Sequence, residues 1–484
     1  MDLTGYFKKL ITVGANTAIN EKEFFELEIN RWRNSPERLL ALTGDRYFNG
    51  DHDILHRERK VIGKEGKLET VDNLPNNRLV DNQYARVVKQ KNNYLLSKPI
   101  TFESKNTKYA EALTKVFNRQ LLNKIKNGGI DALNGGLFWM YVYYDEKGEL
   151  AFQKFKAHEI LPFWKDADHT ELDCAVRLYR VEVYDGLIPR IQEKVEVFKK
   201  DGIYRYDFTS GKLVPDVDQP HGCYAYVGEE GFTWDRIPLI PFKCNAQEIP
   251  LIRRVKGLQD ALNMMNSDLL NNMQEDNRNT ILVIANYDGE DLSEFRRNLS
   301  VYGAVKVRKG DGLDGGVDTL RIEVNAQNYE LVLRTIKKAI VENAMTFDAK
   351  DDRMGSNVNM MNLKSMYADI DLDADDTESE FVVALDQLMF FVNSYFATKG
   401  IGNFEGEELR ITFNRDFIVN ESQVIQDMVA LGVRCPNELL VEQLPFINDV
   451  EQAMKLLEKE DKDAYDQAFE GVKQNDGAMG RTVR

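Results

Sequence analysis

The segment AQNYELVLRTIKKAIVENAMTFDAKDDRMGSNVNMMNLKSMYADIDLDADDTESEFVVALDQLMFFVNSYFATKG, Ala326 to Gly400, predicts a helix, a polar break and a second, much longer helix. In the first helix, Ala326 to Phe347, large apolar residues recur close to a 3.6-residue period. The break, Asp348 to Asn359, consists mainly of charged and polar residues. We therefore predict that two helices are joined by an exposed, charged loop.

The second helix is expected to extend from Met360 to Thr398. It should stop at Lys399-Gly400, because a cation in the last turn and a following glycine are typical of a helix C-terminus. At a rise of 1.5 Å per residue the helix would be about 55–60 Å long. That length exceeds the span of a compact domain, so we expect a kinked helix or one that crosses between domains.

A further long helix precedes this segment. Ile252 to Thr280 carries apolar residues at three- and four-residue spacings and polar residues on its other faces. Between the two helices, residues 281–325 contain three strand-like runs (ILVIANYDGED, GAVKVRK and LRIEV), the short helix SEFRRNLS and the loop GDGLDGGVDT, Gly310 to Thr319. The pattern predicts a small α/β module carried by two long helices.

The first half of the chain predicts helices followed by an antiparallel β-rich region. The expected helices are 19–43 (capped by Asn20 and closed by Gly44), Asn77–Ser97, and Asn106–Lys126 (ending at Gly128-Gly129), with the short strand PITFES before the last of them. FWMYVYYDEKGELAFQKF is typical of a hairpin, and further strand-like runs continue to about Phe242. RIPLIPFKCN is expected to be extended, because its two prolines are incompatible with a helix.

The end of the chain is expected to be helical. ELRITFNRDF predicts a strand, and helices should follow at 421–431, after Pro436 and at 448–471. The tail QNDGAMGRTVR has the composition of a disordered terminus. We therefore predict an α+β, mostly helical chain of several domains.

Composition restricts the functional classes. The chain has 484 residues, 43% hydrophobic and 29% charged, which is ordinary for a globular protein with several cores. The net charge of −16 argues against a protein that coats nucleic acid through a basic surface, but not against one that surrounds nucleic acid without gripping it. The N-terminus does not have the pattern of a signal peptide, and we expect no membrane-spanning segment.

Cysteine and histidine patterns do not favour a metal or disulfide framework. The four cysteines are scattered without a CxxC pair, so a reducing cytoplasm is the simplest setting. His52 and His56 in HDILH have the spacing of a zinc-binding pair, but Asp53 stands where a metalloprotease has its glutamate. A solvated helix end or loop is the favoured interpretation of this segment.

Other candidate motifs also favour structural interpretations. The Gly310–Thr319 loop lacks the Gly-Lys-Ser/Thr ending of a phosphate-binding loop and carries three aspartates, so a tight turn is favoured. DIDLDADDTESE, Asp369 to Glu380, resembles a calcium loop in acidity alone, and we interpret it as the solvated part of the long helix. The methionines at 264, 265 and 273 are interpreted as core or interface. We predict no enzyme, no metal and no cofactor.

The order of these elements resembles the portal proteins of tailed bacteriophages, of the long-tailed siphophage type found on Gram-positive hosts. The phrases that carry the resemblance are RYFNGDHDIL, NYLLSKPITF, RIPLIPFKCN followed by VKGLQDALNMMNSDLLNNMQED, and NYDGEDLSEFRRNLSVYGAVKV with GGVDTLRIEV. None is a catalytic signature, but their order and spacing are specific. One departure is Cys244-Asn245 after Phe-Lys, where relatives tend to have asparagines.

The resemblance implies a homo-oligomeric ring, usually of twelve subunits, at one vertex of the procapsid. Double-stranded DNA would pass through its channel without sequence-specific contacts, and the partners would be the terminase, the major capsid and scaffolding proteins, and later a head-completion adaptor. The protein would be found in the virion, and in the host cytoplasm during assembly. No membrane is involved. ATP hydrolysis would belong to the terminase, since this chain has no Walker A motif.

The same resemblance implies a division of the chain into named domains. These are a wing (1–250, to which 360–419 returns), two stem helices (251–280 and 326–347), a clip (281–325), a tunnel loop (348–359), and a crown with a disordered tail (420–484).

Two groups of residues then become candidate sites. The first would face DNA in the channel and combines loop and stem positions: Lys350, Arg353, Arg334, Lys337, Lys338, Ser356 and Asn357. The second would dock the terminase and then the adaptor: Glu290, Glu294, Arg296, Arg297, Asp311 and Asp314, within a clip that includes the Gly310–Thr319 loop. For each residue an ordinary ion pair or a contact within the ring is the competing interpretation.

Two rival functions remain open from the sequence. A non-portal head–tail connector or scaffold ring would share the long helices. A metal-dependent hydrolase would rest on His52, His56 and nearby carboxylates.

Overall fold

A computed structural model describes residues 20–62, 67–70, 74–227, 230–275, 280–285, 309–310, 313–314, 316–321, 326–348 and 360–415, with residues 454, 456, 457 and 459. The chain divides into two compact units, Met1–Lys350 with Tyr367–Arg415, and Asp351–Met366 with Asp416–Arg484. Nearly all described residues belong to the first unit. The predicted helices after residue 420 lie outside the described residues, apart from four helical positions near residue 456.

The described helices alternate with β structure along the chain. In order they are α1 Glu21–Trp32, α2 Pro36–Phe48, α3 Gln83–Leu96, α4 Thr107–Val116, α5 Arg119–Gly135, α6 Ile252–Glu275, α7 Ala326–Asn343 and α8 Met360–Thr398. Together with the sheets below they confirm an α+β chain.

Two of the predicted helices are each divided in two. The 19–43 helix breaks where Ser35 caps a new helix that starts at Pro36, a combination that favours a helix N-terminus over continuation. The Asn106–Lys126 helix breaks where Asn118 accepts hydrogen bonds from the first backbone N–H groups of α5. In both places the capping side chain was present in the sequence and was not used in the prediction.

Glycines that were expected to end helices instead lie inside them. A Cβ atom on Gly44 would lie 2.1 Å from the Asn134 carbonyl oxygen, and one on Gly128 would lie 2.4 Å from the Phe138 ring. The prediction that Gly44 and Gly128-Gly129 end helices was therefore wrong, because these residues permit close approach between α2, α5 and the strand that follows.

The strands form several antiparallel sheets. Their bounds are β1 Lys60–Ile62, β2 Leu68–Thr70, β3 Thr101–Glu103, β4 Leu137–Tyr144, β5 Leu150–Lys156, β6 Ile160–Trp164, β7 Leu172–Asp185, β8 Ile188–Lys199, β9 Gly202–Thr209, β10 Lys212–Pro215, β11 His221–Gly222, β12 Ala225–Val227, β13 Glu230–Phe232, β14 Leu239–Lys243, β15 Thr280–Ala285, β16 Lys309–Gly310, β17 Leu313–Asp314, β18 Gly316–Arg321 and β19 Arg410–Thr412. A six-stranded sheet has the order β10-β9-β8-β7-β6 with β11 beside β9, and a three-stranded sheet has the order β14-β4-β5. The hairpin predicted at FWMYVYYDEKGELAFQKF and the extended RIPLIPFKCN segment are confirmed as β4–β5 and β14.

Two cores hold the first unit together. In one, the apolar face of α1 packs on the six-stranded sheet, with Phe24 and Phe25 against Phe163. In the other, the long helix α8 packs on the three-stranded sheet, where the Phe381 ring lies edge-on to Phe242 at 5.3 Å. Strand β19 then pairs with β3, so the chain after α8 returns to the first part of the fold.

The two long helices α6 and α7 pack against one another, and β15 pairs with β18 between them. α7 ends at Asn343, four residues before the predicted end. Gly316 to Thr319, predicted as loop, belong to strand β18, because β18 pairs over its whole length with β15. The strand GAVKVRK before Lys309 and the helix SEFRRNLS lie outside the described residues.

The prediction for α8 is confirmed at both ends. Gly400 has a φ of +68°, and the N–H of Ile401 donates to the Phe396 carbonyl (2.9 Å), as in the usual glycine-terminated helix end. The segment Tyr367–Thr398 is long and apolar enough to cross a membrane, so the expectation of no such segment was too strict. Half of its most apolar stretch is buried within the protein, as is typical of a core helix.

Candidate functional site

One buried lysine joins the chain just after α7 to the long helix α8. Lys91, on α3, donates hydrogen bonds to the carbonyl oxygens of Ala344 (2.7 Å) and Met345 (3.0 Å). Its Nζ also lies 2.7 Å from Oδ2 of Asp373, on α8. Because an ammonium group has three N–H donors, Lys91 uses all of them to join the end of α7 to α8.

The end of α7 is a sharp stop. Met345 has a φ of +50°, a conformation in which glycine is usual. The N–H of Thr346 donates to the Val341 carbonyl and that of Met345 to the Glu342 carbonyl. This is the Schellman pattern, in which a residue in the left-handed conformation ends a right-handed α-helix. The positive charge of Lys91 lies at the carbonyl end of the helix, where the helix dipole favours a cation.

Further contacts from α3 hold the residues on either side of the break. Gln90 donates to the carbonyl of Phe347 (3.0 Å), and Arg86 pairs with Asp348 (2.9 Å). The ring of Phe347 lies 4.4 Å from that of Tyr367 on α8. We call the contacts of α3 with Ala344–Asp348 and with Tyr367–Asp373 the loop anchor. The residues between, 349–359, lie outside the described residues.

The ion pair at the centre of the anchor is largely removed from water. The side chains of Lys91 and Asp373 are 5% and 12% exposed. Burial lowers the pKa of Lys91, while Asp373 acts in the opposite direction and favours the charged form. Arg254, on α6, also binds Asp373 (2.7 Å), so the two cations share one carboxylate that joins three helices.

A second charge cluster holds the chain after α8. Arg415 pairs with Asp371 (2.9 Å), Asp375 (2.5 Å) and Glu378 (2.7 Å), all on one face of α8. Burial lowers the pKa of Arg415, but the hydrogen-bonded carboxylates raise it above its ordinary value. The interpretation of Asp369–Glu380 as a solvated surface was therefore wrong at Asp373, whose side chain is 12% exposed, whereas Asp369, Asp375 and Asp376 are exposed.

A polar ladder on α6 holds the extended segment before α3 and the first turn of α3. Its rungs are four buried residues spaced by four: Gln259, Asn263, Ser267 and Asn271. They accept hydrogen bonds from the backbone N–H groups of Tyr84 (3.0 Å), Asp81 (3.0 Å), Leu79 (2.9 Å) and Asn77 (2.7 Å), in that order. From Asn77 to Asp81 the match is geometric, because four helical residues rise about 6 Å, close to the span of two extended residues; Tyr84, the fourth donor, lies in the first turn of α3. The ladder fixes α6 against the segment that leads into α3 and the loop anchor.

His52 belongs to this buried network. Its Nδ1 accepts from the side-chain amide of Asn263 (2.8 Å), and its Nε2 donates to the Tyr47 carbonyl (3.0 Å). The orientation of the Asn263 amide is set because its oxygen accepts from the Asp81 N–H. His52 is therefore held as a neutral imidazole, and burial lowers its pKa.

The HDILH pair does not make a metal site. His52 is fully buried, so its interpretation as solvated was wrong, while the exposed His56 binds Asp51 (2.9 Å). Both ring nitrogens of His52 are already used. Within the described part of the chain, no cluster of three or more His, Cys, Asp or Glu side chains is placed to hold a metal ion.

Three of the predicted DNA-facing residues are described, all on α7. Arg334 and Lys338 are largely exposed and pair within the helix with Glu330 and Glu342. Lys337 pairs with Asp81 (2.8 Å) and is about half exposed. Lys350, Arg353, Ser356 and Asn357 lie outside the described residues.

None of the predicted docking side chains is described. The backbone of Asp314 belongs to β17, which forms a two-residue ladder with β16. Glu290, Glu294, Arg296, Arg297 and Asp311 lie outside the described residues.

The loop anchor was missed, although the sequence carries a signal for it. In QYARVVKQKNNYLL the lysine at 91 occupies the apolar stripe formed by Val87, Val88, Tyr94 and Leu95. A charged residue in such a stripe indicates a buried partner. The polar ladder likewise shows as four polar residues spaced by four on one helix, Gln259, Asn263, Ser267 and Asn271.

Comparisons with known proteins agree on one family. The family described as "Phage portal protein, SPP1 Gp6-like" matches residues 34–467. A portal protein of Bacillus phage SPP1 is 29% identical over 442 residues, which cover 88% of this chain and 84% of that protein. A portal protein of Clostridium phage phiCD119 is 26% identical over 442 residues, which cover 88% of this chain and 93% of that protein.

Proposed function

The chain belongs to the SPP1 Gp6-like family of phage portal proteins, and from this membership we propose how its parts act in a DNA-conducting ring. Proteins of this family are structural, non-enzymatic components of the phage capsid that assemble as rings and function in DNA packaging. We propose a ring of twelve subunits at one vertex of the procapsid. It would assemble in the host cytoplasm with the scaffolding and major capsid proteins.

The proposed division follows the long helices. α6 and α7 are the stem, residues 281–325 are the clip, and 1–250 with 360–419 are the wing. The packing of α6 on α7 supports the stem, and the pairing of β19 with β3 supports the return of 360–419 to the wing. The crown is assigned to residues from 420 onward.

The observation that carries the proposal for the channel is the loop anchor. Lys91 joins the chain just after α7 to Asp373 on α8 through one buried ion pair, which supports a loop between these helices that is anchored to the body of the subunit. A loop held in this way can move between its ends without loosening the stem. We propose that this loop faces the channel and contacts passing DNA.

Charge supports a weak hold on DNA. Many copies of a chain with a net charge of −16 make a strongly acidic ring, and each phosphate contact would add sequence-independent affinity that resists movement. A few cations suffice to steady the duplex. We assign this role to Lys350 and Arg353 in the loop, and to Arg334, Lys337 and Lys338 on α7. Ser356 and Asn357 are small polar residues that would let the loop flex as DNA advances.

A double charge reversal tests the loop. Lys350→Glu with Arg353→Glu should assemble normal rings and incorporate into procapsids, but should package DNA at least tenfold less efficiently. The matched control is Lys108→Glu with Lys115→Glu, two exposed lysines on α4. Normal packaging by the loop variant would remove the loop charges from DNA handling.

We propose that the clip binds the terminase first and the head-completion adaptor later. Its charged residues are Glu290, Glu294, Arg296, Arg297, Asp311 and Asp314. Reversing Arg296 and Arg297 together should weaken terminase binding to preformed rings at least tenfold in a pull-down titration, with the α4 double variant as control. Unchanged binding would show that these two residues do not form the docking surface.

A further inference from the structure

The hairpin formed by β7 and β8 projects beyond the sheet to which it belongs. β6 pairs with β7 up to Arg177, and β9 pairs with β8 from Glu193 onward. Outside those limits the pairs from Val181↔Gln192 to Asp185↔Ile188 have no third strand among the described residues. We call residues 181–192 the hairpin arm. Its five residue pairs extend over about 17 Å.

The arm carries large apolar side chains in water. Tyr184, Ile188 and Ile191 are more than 60% exposed, and Leu187 at the turn is 96% exposed. Tyr184 and Ile191 project from one face of the hairpin arm, and Ile188 projects from the other. Residues paired across the two strands share a face, and neighbours along a strand alternate between faces. Apolar side chains thus surround the tip instead of forming one flat patch.

A two-stranded ribbon of this kind needs support. An isolated hairpin is marginally stable in water, and exposed apolar clusters on soluble domains usually mark an interaction site. Because the apolar residues surround the tip, a concave partner that encloses it would bury more of them than a flat one.

The same chain carries a concave surface of this type. A groove of about 770 Å³ lies between the α1–α2 junction and the β4 and β6 strands. Its apolar lining includes Trp32, Leu40, Trp139, Leu161, Pro162 and Trp164. Trp164 is 3% exposed, and its indole N–H has no acceptor among the described residues.

We propose that the hairpin arm of one subunit inserts into the apolar groove of the next subunit in the ring. An apolar projection on one part of a chain and an apolar groove on another make a head-to-tail contact, the type that closes a ring when the rotation is right. The inference rests on the ring assembly of the family, and it adds the surfaces that join neighbouring wings.

Cysteine cross-linking tests the contact directly. Leu187→Cys is combined with Glu37→Cys, an exposed position at the groove rim, in a background with Cys223→Ser and Cys435→Ser. Treatment of preformed rings with a short bis-maleimide should give a ladder of covalent oligomers. The single variants and a Leu187→Cys, Lys108→Cys pair should give none. No ladder from rings of the first pair would overturn the proposal, and a ladder from Leu187→Cys alone would show an arm-to-arm contact instead.

A second measurement separates this contact from others on the arm. Leu187→Asp with Ile188→Asp should raise the protein concentration needed for half-maximal ring assembly at least tenfold. Val217→Asp, at a 91% exposed apolar position outside the arm, should assemble like the wild type. If the arm variant assembles normally but fails to enter procapsids, the arm binds the shell and the proposal is wrong. If the wild type forms no rings, the ring function itself fails.

Discussion

Lys91 Nζ and Asp373 Oδ2 lie 2.7 Å apart at a junction where α3, α7 and α8 meet. The remaining two donors of Lys91 bind the carbonyls of Ala344 and Met345, directly after α7, and Arg254 of α6 binds the other oxygen of Asp373. One buried pair therefore fixes the helices on both sides of residues 349–359. The proposal that the channel loop is anchored to the body of the subunit depends on this junction.

Removing the lysine should be costly. Lys91→Met leaves Asp373 with Arg254 alone and two helix-end carbonyls without a donor, so we expect a loss of about 3 kcal/mol in the free energy of unfolding. Lys89→Met, on the exposed side of the same helix, should change it by less than about 0.5 kcal/mol. Chemical denaturation of the unassembled chain measures both, and equal effects would contradict the anchor.

A double-mutant cycle isolates the pair itself. We expect a coupling energy of about 1–3 kcal/mol between Lys91→Met and Asp373→Leu, because the two side chains form a direct buried ion pair that either substitution removes. A coupling near zero would mean that Lys91 acts through the carbonyls of Ala344 and Met345 alone.

The polar ladder gives a prediction on α6. Asn263→Leu removes the acceptor of the Asp81 N–H and of the Gln259 amide as well as the donor to His52, so three polar groups lose a partner and we expect a cost of about 3 kcal/mol. Met264→Leu, at the neighbouring exposed position, should be nearly neutral. A small effect of Asn263→Leu in the same denaturation experiment would show that water can replace the hydrogen bonds of Asn263.

His52 should make stability depend on pH. Burial lowers its folded-state pKa, so the unfolded chain binds the proton more readily. Its contribution is complete above the ordinary histidine pKa of about 6.5 and is lost as the pH falls below that value. The difference in unfolding free energy between the wild type and His52→Asn should therefore shrink from pH 7.5 to pH 5. A constant or growing difference would contradict a buried neutral imidazole, and His56→Asn controls for the loss of an exposed ring.

Arg415 should matter through its geometry as well as its charge. Arg415→Lys keeps one charge but cannot reach Asp371, Asp375 and Glu378 together, so it should recover less than half of the stability that Arg415→Gln loses. We expect the glutamine variant to lose about 1–2 kcal/mol, with a smaller loss at high salt because two of the carboxylates are partly exposed. Equal stability of the lysine variant and the wild type would contradict a requirement for simultaneous contact with the three carboxylates.

The long, strongly periodic elements could be predicted from the sequence. α8 begins and ends where its apolar pattern and Gly400 indicate, and the β4–β5 hairpin follows from its Asp-Glu-Lys-Gly turn. The helix breaks at Ser35 and Asn118 were missed because capping competes locally with an apolar pattern that continues across it. The start of β18 at Gly316 was missed, because it depends on pairing with β15, which lies more than thirty residues earlier in the chain.

The site was less accessible to sequence reasoning. Polar residues on a helix are normally solvated, so Asp373 was assigned to a surface, and no role was predicted for Lys91 or for the ladder on α6. Their burial depends on partners far along the chain: Lys91 binds residues about 250 and 280 positions later. A charged or amide residue within an apolar stripe is the available signal, and it indicates that a partner exists without identifying it.

The most direct test of the central claim is the structure of the assembled ring at side-chain resolution by electron cryomicroscopy. We expect a closed ring with a central channel wide enough for duplex DNA. We also expect residues 349–359 at the narrowest part, with Lys91 and Asp373 paired behind each loop. Monomers or dimers, or a ring in which residues 349–359 lie on the outer surface, would contradict this claim.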